Sequence, residues 1–330
     1  MASALKADPA SLEQVLLRPQ ASSCFPLDLA ATFARPAPLA VEIGFGGGEA
    51  LAWWASQRPE WNFIGFERAQ ESVQRAATAL VRAGVGDRVR LVLGDARHLL
   101  RELVPSASAV RVLMQFPMPW PKSRHAKHRL TDPGFVAALA SVLAPGGRFE
   151  LVTDQEWFAR EAEAALTAHP ALAVSALEPD PARSFRTRYE RRWLAEGRGI
   201  WRLTASPTAP LPCPPLSLPH AMDHLPLSVP PSADAVLALA GRRFNEATWV
   251  GVVQDVATTS DGWLLQVLSA EGGFSQRFLI RIQLRPQRSA LLILEEIARP
   301  YPTPGVSALL LAVRQVLDED QMRNNPTNTR

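Results

Sequence analysis

Short apolar runs alternate with longer amphipathic segments through the first two thirds of the chain. From Leu39 onward each apolar run predicts a strand, and each strand is followed by a segment with helical periodicity. The predicted strands are 39–44, 61–67, 88–93, 110–115 and 148–153, and the predicted helices are 49–57, 69–83, 97–104, 133–143 and 157–169. Buried strands that alternate with helices form right-handed βαβ units. The pattern therefore predicts an α/β domain with a mostly parallel sheet over 39–205, ending in an antiparallel edge strand at 199–205.

A proline-rich stretch separates this domain from the rest of the chain. Residues 206–232 contain nine prolines and neither lysine nor arginine, which predicts a semi-rigid extended linker. Beyond it, apolar patterning predicts a helix at 233–244, strands at 248–256, 263–268, 274–284 and 290–297, and a helix at 304–317. These elements predict a smaller α+β domain with an antiparallel sheet over 233–317. Residues 1–38 are expected to be a lead-in, and residues 318–330 a disordered tail.

The composition excludes several classes of protein. Hydrophobic residues make up 47% of the 330 residues and charged residues 20%, which is typical of a folded chain. Two cysteines cannot build a disulfide framework or a cysteine zinc site. No apolar run approaches the ~20 residues that span a bilayer, and the N-terminus carries no secretory signal. We therefore expect a cytoplasmic protein, most simply a monomer, with no membrane partner.

Positive charge is concentrated in two short segments, although the net charge of the chain is only +3. Residues 111–130 contain five basic residues and no acid, and residues 183–202 contain seven arginines against Glu190 and Glu196. Such clustering is the pattern expected of surfaces that contact phosphates. Two solvated faces would give the same pattern, so charge alone leaves both interpretations open.

The end of the first predicted strand leads into a glycine-rich loop, EIGFGGGE, which spans 42–49. Glycines there let backbone pack against a nucleotide at the carboxyl end of the strand. Acids follow three successive strands, and neighbouring strand ends share one rim of a parallel sheet. These carboxylates would repel a pyrophosphate, so they favour S-adenosylmethionine over a dinucleotide. A turn without a ligand, with each acid capping a helix, is the alternative. The candidate residues are Glu42, Gly44, Gly46, Gly48, Glu67, Asp95 and Ala96.

A stiff basic loop follows the fourth predicted strand and reads QFPMPWPKSRHAKHRL over 115–130. Three prolines in five residues fix its backbone. Trp120 offers a ring for stacking on a base, and the cations offer phosphate contacts. His125 and His128 lie in a cationic stretch without a partner carboxylate, so we expect RNA or solvent at these positions and no metal.

The order of motifs EIGFGxGE, GFE, GDA, FPxPWPKxRHxKxRL, VTD and TRYE resembles the bacterial tRNA (guanine-N7)-methyltransferase family over about residues 39–205. The resemblance implies a class I (Rossmann-like) methyltransferase that uses S-adenosylmethionine to methylate guanine N7 in the tRNA variable loop, at tRNA position 46. It implies that the three acids bind the donor. It also implies substrate contacts from Lys122, Asp154, Thr187, Arg188, Tyr189 and Glu190, and RNA contacts from a basic stretch that includes Arg124, Lys127 and Arg129.

One departure from the family motif lies in the basic loop, where Met118 replaces an aspartate. Guanine N7 carries a lone pair and no proton, so attack on the methyl group needs orientation and no general base. We expect activity to survive, with Asp154 and Glu190 taking over the electrostatic role. The alternative is a tRNA-binding protein that has lost catalysis, and a dinucleotide-dependent oxidoreductase is a third, weaker interpretation. The resemblance gives no role to residues 233–330.

Overall fold

The computed structural model describes residues 9–21, 25–122, 129, 131–209, 213–215, 222–227, 229–286 and 289–324. The chain divides into two compact units, the first drawn from residues 1–18 and 26–215 and the second from 19–25 and 216–330. Among the described residues, no helix is both long enough and apolar enough to span a membrane.

A nine-stranded, mostly parallel sheet forms the centre of the first unit. Its strands are β1 (Leu16–Leu17), β2 (Leu39–Ile43), β3 (Asn62–Glu67), β4 (Val89–Leu93), β5 (Ala109–Gln115), β6 (Leu143–Thr153), β7 (Leu172–Val174), β8 (Glu178–Pro179) and β9 (Trp201–Pro207). The order is β1-β4-β3-β2-β5-β6-β9-β7, and β8 also pairs with β9. Strands β1 to β6 run parallel, whereas β9 runs antiparallel to β6, β7 and β8. The predicted antiparallel direction of the last strand is observed, and β7 takes the edge position beside it.

Helices connect the strands of this unit. They are α1 (Pro9–Val15), α2 (Leu29–Phe33), α3 (Glu49–Gln57), α4 (Gln70–Arg82), α5 (Ala96–Leu103), α6 (Pro133–Val142), α7 (Glu156–Thr167) and α8 (Arg188–Ala195). Side chains cap several of them at the N-terminus, such as Asp132, whose carboxylate accepts from Phe135 N at 3.1 Å. Apolar faces of the helices bury the strands, and β2 is buried along its whole length. Because these strands are buried on both faces, polar side chains that could act on a ligand are expected at the strand ends.

Most of the segment before Leu39, expected to be a lead-in, belongs to the first unit. Strand β1 pairs with β4, and Val15 is fully buried in the core that lies against α4. Asp28 caps α2 by accepting from Ala30 N at 2.9 Å. The sequence shows no sustained period there because each of these elements is at most seven residues long.

The second unit is a six-stranded antiparallel sheet with a long helix. Its elements are β10 (His224–Leu227), α9 (Ala233–Leu237), β11 (Arg243–Asn245), β12 (Trp249–Thr259), β13 (Gly262–Glu271), β14 (Phe274–Arg285), β15 (Ser289–Leu294) and α10 (Pro304–Asn324). The strand order is β10-β15-β14-β13-β12-β11. Alternate side chains of the sheet pack with α10 into one core, which includes Trp263, Phe278, Leu309 and Val313. The predicted fold class, an α/β sheet domain plus a smaller antiparallel α+β domain, is confirmed.

Three boundaries in the second unit differ from the predictions. Strand β10 lies inside the predicted linker. It is an edge strand, so one side of its backbone has no pairing partner, and Pro226, which lacks an N–H group, is tolerated there. Helix α9 ends at Leu237 because the chain turns at Gly241, whose φ is 78°. Helix α10 continues to Asn324, and its later turns carry an i,i+4 ion pair between Arg314 and Asp318.

Candidate active site

The loops that follow the central strands are joined into one rim. Gly44 N donates to Phe66 O at 2.8 Å, Gly94 N donates to Glu67 O at 2.8 Å, and Phe116 N donates to Val152 O at 2.7 Å. These backbone bonds connect the carboxyl ends of β2, β3 and β4 on one side, and of β5 and β6 on the other. In open α/β sheets this rim is where ligands bind.

The glycine-rich loop after β2 needs glycine for its backbone conformation. Gly44, Gly46 and Gly48 have φ angles of 72°, 54° and 79°, which side chains rarely adopt. Glu67 holds the loop, because its Oε2 accepts from Gly46 N at 3.0 Å. The Oε1 atom of Glu67 accepts from Arg68 N at 2.7 Å and Ala69 N at 3.0 Å. Hydrogen bonds thus hold the glycine-rich loop and Glu67, the last residue of β3, together.

Glu42 is buried at the end of β2, with 3% of its surface exposed. Its Oε1 accepts from Gln115 Nε2 at 3.2 Å, and its Oε2 has no hydrogen-bond partner among the described residues. Burial raises the pKa of Glu42 to about 7, against the opposing effects of the Gln115 hydrogen bond and the Arg183 charge. A buried carboxylate oxygen without a donor is a place where a cationic or N–H group of a ligand fits.

Asp95 is partly buried at the end of β4 and is held by its own helix. The carboxylate caps α5 by accepting from Arg97 N at 3.1 Å, and Arg97 Nε donates to its Oδ1 at 3.0 Å. Burial acts to raise the pKa of Asp95, but the hydrogen bonds and charge of Arg97 outweigh it and hold the pKa below its usual value. Asp95 therefore stays ionised, and Ala96 follows it as the first residue of α5.

Helix α8 carries the TRYE motif at its N-terminus and contacts the glycine-rich loop. Thr187 and Glu190 form a reciprocal capping box, in which Glu190 N donates to Thr187 Oγ1 at 3.2 Å and Thr187 N donates to Glu190 Oε2 at 3.3 Å. Arg188 N donates to Glu49 Oε2 at 3.1 Å, and Glu49 is the first residue of α3. The predicted donor-binding and substrate-binding segments therefore lie side by side.

The loop after β5 is strained and lies against α8. Phe116 and Trp120 have φ angles of 52° and 49°, an unfavourable conformation for bulky side chains that is found mostly at functional sites. Phe116 contacts Trp193 at 4.9 Å between ring centroids, and Tyr189 stacks on Trp193 at 5.8 Å. Met118 and Tyr189 project from this surface, with 68% and 55% exposure.

The remaining predicted residues have different surroundings. Asp154 accepts from Gln155 Nε2 at 2.7 Å and pairs with Arg198 at 3.2 Å, and Lys122 is exposed. Arg129, predicted to contact RNA, donates to Trp120 O at 3.0 Å and pairs with Glu161 at 2.6 Å, so in this structure it ties the loop to α7. Arg124 and Lys127 lie outside the described residues.

Known proteins are similar in sequence to this chain. The model of a family described as putative methyltransferases matches residues 36–203. The chain is 35% identical over 312 residues to the tRNA (guanine-N(7)-)-methyltransferase of Thermotoga maritima. The matched region covers 94% of this chain and 98% of that protein. The chain belongs to the tRNA (guanine-N7)-methyltransferase family. The predicted family and the predicted enzyme class, a methyltransferase, are thus confirmed.

Two further methyltransferases match about half of the chain. The tRNA (guanine-N(7)-)-methyltransferase of Aromatoleum aromaticum is 42% identical over 180 residues, or 54% of this chain and 69% of that protein. Among solved structures, the antibiotic-resistance methyltransferase Kmr matches with a TM-score of 0.42 and 21% identity, over 55% of this chain and 92% of that chain. The Thermotoga relative aligns over 94% of the chain and therefore with both units of this methyltransferase.

Several residues of the site are absent from the sequence-based prediction. Gln115 and Arg183 line the buried path between Glu42 and Glu190, and Trp193 supports the ring of Tyr189. Gln115 ends its strand as the acids do, which is a signal that could have found it. The sequence carried no signal that separates Arg183 or Trp193 from their neighbours.

Proposed function

We propose that this methyltransferase transfers the methyl group of S-adenosylmethionine to N7 of the variable-loop guanosine of tRNA, at tRNA position 46. When bound, the donor supplies an electrophilic methyl group on a sulfonium centre. The names of the relatives support the reaction, and the motifs around Glu42, Met118 and Thr187 support it from the sequence side. A cytoplasmic location and a monomeric state remain predictions.

The donor side of the rim fits S-adenosylmethionine. Glu42 and Glu190 are two buried carboxylates with one guanidinium, Arg183, near both. When both acids are ionised this buried group lacks one positive charge, which the ammonium of the methionine part would supply at Glu42 Oε2. Glu67 uses three of its roughly four acceptor positions on backbone donors, which leaves room for a ribose hydroxyl.

The acceptor side needs to orient the base and does not need to remove a proton. Attack by N7 on the methyl group requires in-line approach at ~3 Å. The exposed ring of Tyr189, supported by Trp193, offers a stacking platform for the purine. Asp154 lies partly exposed at the end of β6, where its carboxylate can accept from the edge of the guanine or stabilise the cationic product. Because Glu190 is buried, its carboxylate contributes through its charge and not through contact with the base.

Phosphate contacts would come from the exposed basic side chains around this rim. Arg186, Arg188 and Arg191 are exposed on and before α8, and Lys122 is exposed on the loop after β5. An arginine can donate to two phosphate oxygens at once, whereas a lysine attracts phosphate as a point charge. We also propose RNA contacts from Trp120, Arg124 and Lys127 of the basic loop 115–130, and from Arg129 in exchange for its ion pair with Glu161.

The observation that carries the proposal is the hydrogen bond from Arg188 N to Glu49 Oε2. It holds the start of α8 against the glycine-rich loop, so the donor and substrate segments meet at one place. The test is to incubate the protein with unmodified tRNA and labelled donor, and to map the product by mass spectrometry. We expect 7-methylguanosine in the variable loop. A methyl group on another atom or another nucleoside would refute the assignment.

Met118 supports a second candidate, a tRNA-binding protein without catalytic activity. Its exposed thioether occupies the loop position at which the family motif has an aspartate. We expect the wild type to transfer methyl groups, because Asp154, which follows the neighbouring strand β6, is partly exposed and can take over the electrostatic role. Comparing wild type with Met118→Asp in the same labelling assay separates the two candidates. A wild type that binds tRNA without turnover, together with an active variant, would establish the degenerate enzyme.

A further inference from the structure

Arg183 lies on a continuous buried path between the two sides of the site. Its side chain is 7% exposed, and its Nη1 lies 3.2 Å from Glu190 Oε2. Its Nη2 donates to Gln115 Oε1, and Gln115 Nε2 in turn donates to Glu42 Oε1 at 3.2 Å. The path therefore runs from Glu42 on β2, through the last residue of β5, to α8 without a gap.

Arg183 sets the orientation of the Gln115 amide. The amide oxygen accepts from the guanidinium, so the amide nitrogen faces Glu42. A flipped amide would point its N–H groups at the guanidinium, which has only donors, and its oxygen at a carboxylate. The ring of Phe116 covers the guanidinium at 5.7 Å from its centroid. Without the arginine, only the Glu42 carboxylate itself would favour the nitrogen end of the Gln115 amide.

Arg183 also holds the first turn of α8. The Glu190 oxygen that pairs with Arg183 is the same Oε2 that accepts from Thr187 N in the capping box. Removing the cation would leave the Glu190 carboxylate buried without its ion-pair partner, a costly state that favours protonation or movement. Either change would weaken the capping box and shift the motif that begins at Thr187.

We propose that Arg183 is a positioning residue for methyl transfer, which orients Glu42 through Gln115 and fixes the first turn of α8 through Glu190. The inference rests on the proposed function and deepens it, since the family resemblance assigns no role to Arg183. It implies that one side chain, which touches neither ligand, affects binding of both.

The test compares Arg183→Met and Arg183→Lys with the wild-type protein. Binding of S-adenosylhomocysteine, measured by calorimetry without RNA, reports the donor side, and KM and kcat with tRNA report the acceptor side. We expect Arg183→Met to weaken S-adenosylhomocysteine binding on the order of tenfold and to raise the KM for tRNA. Lysine should restore only part of both effects, because an ammonium lacks the planar fork that meets two partners.

Arg88→Met is the matched control. Arg88 is also a largely buried arginine, donates to Ala55 O at 3.2 Å, and lies at the opposite end of the sheet, before β4. Its loss should leave donor affinity and the KM for tRNA unchanged. Equal losses in the Arg88 and Arg183 variants would mean that general destabilisation explains the result, and would overturn the proposal.

Two other outcomes would also overturn it: a changed KM for tRNA with unchanged donor affinity, or no change in either. Should Arg183→Met fail to fold, Gln115→Leu gives a second test. That variant should weaken S-adenosylhomocysteine binding and spare the KM for tRNA, because the contact between Arg183 and Glu190 remains. A wild type that binds donor and RNA without turnover would refute the proposed function, yet the binding measurements would still decide the role of Arg183.

Discussion

Lowering the pH from 7.0 to 5.5 should weaken binding of the methyl donor through protonation of Glu42. Burial raises the pKa of this carboxyl to about 7 in the free protein. A ligand ammonium at Glu42 Oε2 requires the ionised form, so binding must first remove the proton. The ionised fraction is about one half at pH 7.0 and about 3% at pH 5.5, and the apparent affinity falls by the same ratio, about 16-fold.

Calorimetry with S-adenosylhomocysteine measures this effect directly. The compound shares the amino acid part of the donor, and its ammonium stays largely protonated over this pH range. Titrations in buffers of different ionisation enthalpy should show release of about one proton per binding event at pH 5.5 and about half a proton at pH 7.0.

Glu42→Gln serves as the control for this prediction. The variant should bind weakly and with little pH dependence. Burial raises the pKa of Glu190 and lowers the pKa of His98, which lies on α5 beyond Asp95, so pH dependence left in the variant reports on these two groups. A wild-type affinity that stays constant from pH 5.5 to 7.0, with no proton release, would refute the placement of the ammonium at Glu42.

Three further predictions concern stability, stacking and charge. Glu42→Gln should raise the Tm of the free protein at pH 8, because a raised pKa costs the folded state stability as pH rises from about 4.5 to about 7. The gain in the free energy of unfolding is at most about 3 kcal/mol. The cost of burying an amide N–H without an acceptor, at least about 1 kcal/mol, is subtracted from it. A lower Tm in the variant would contradict the prediction. Tyr189→Ala should reduce kcat/KM for tRNA about 5- to 150-fold, with Tyr189→Phe near wild type, and equal rates in all three would exclude stacking. Arg188→Gln should reduce the salt dependence of tRNA binding by about one phosphate contact, and an unchanged slope would place Arg188 away from the backbone.

The fold of the first unit was predictable because its signals are local. Glycines and prolines mark the ends of elements, and strands buried on both faces read as apolar runs, so α3 was predicted with its observed bounds. The position of the three acids was predictable for a related reason, since the end of a strand fixes the rim on which Glu42, Glu67 and Asp95 lie. How each acid is held was not predictable: Asp95 pairs with Arg97 on its own helix, whereas Glu42 meets Gln115 from another strand.

In the arginine-rich segment 183–202, the number of arginines does not show which of them form ion pairs and which are exposed. Its seven arginines are indistinguishable by composition, yet the fold gives them different partners. Four of them form ion pairs with carboxylates, namely Arg183 with Glu190, Arg192 with Glu196, Arg198 with Asp154 and Arg202 with Glu178. The other three, Arg186, Arg188 and Arg191, form no ion pair with any described residue and are exposed. Two of these acids, Asp154 and Glu178, lie outside the segment, and the two inside it pair with only some of its arginines. Only the folded chain therefore separates arginines that organise the site from those free to meet phosphate.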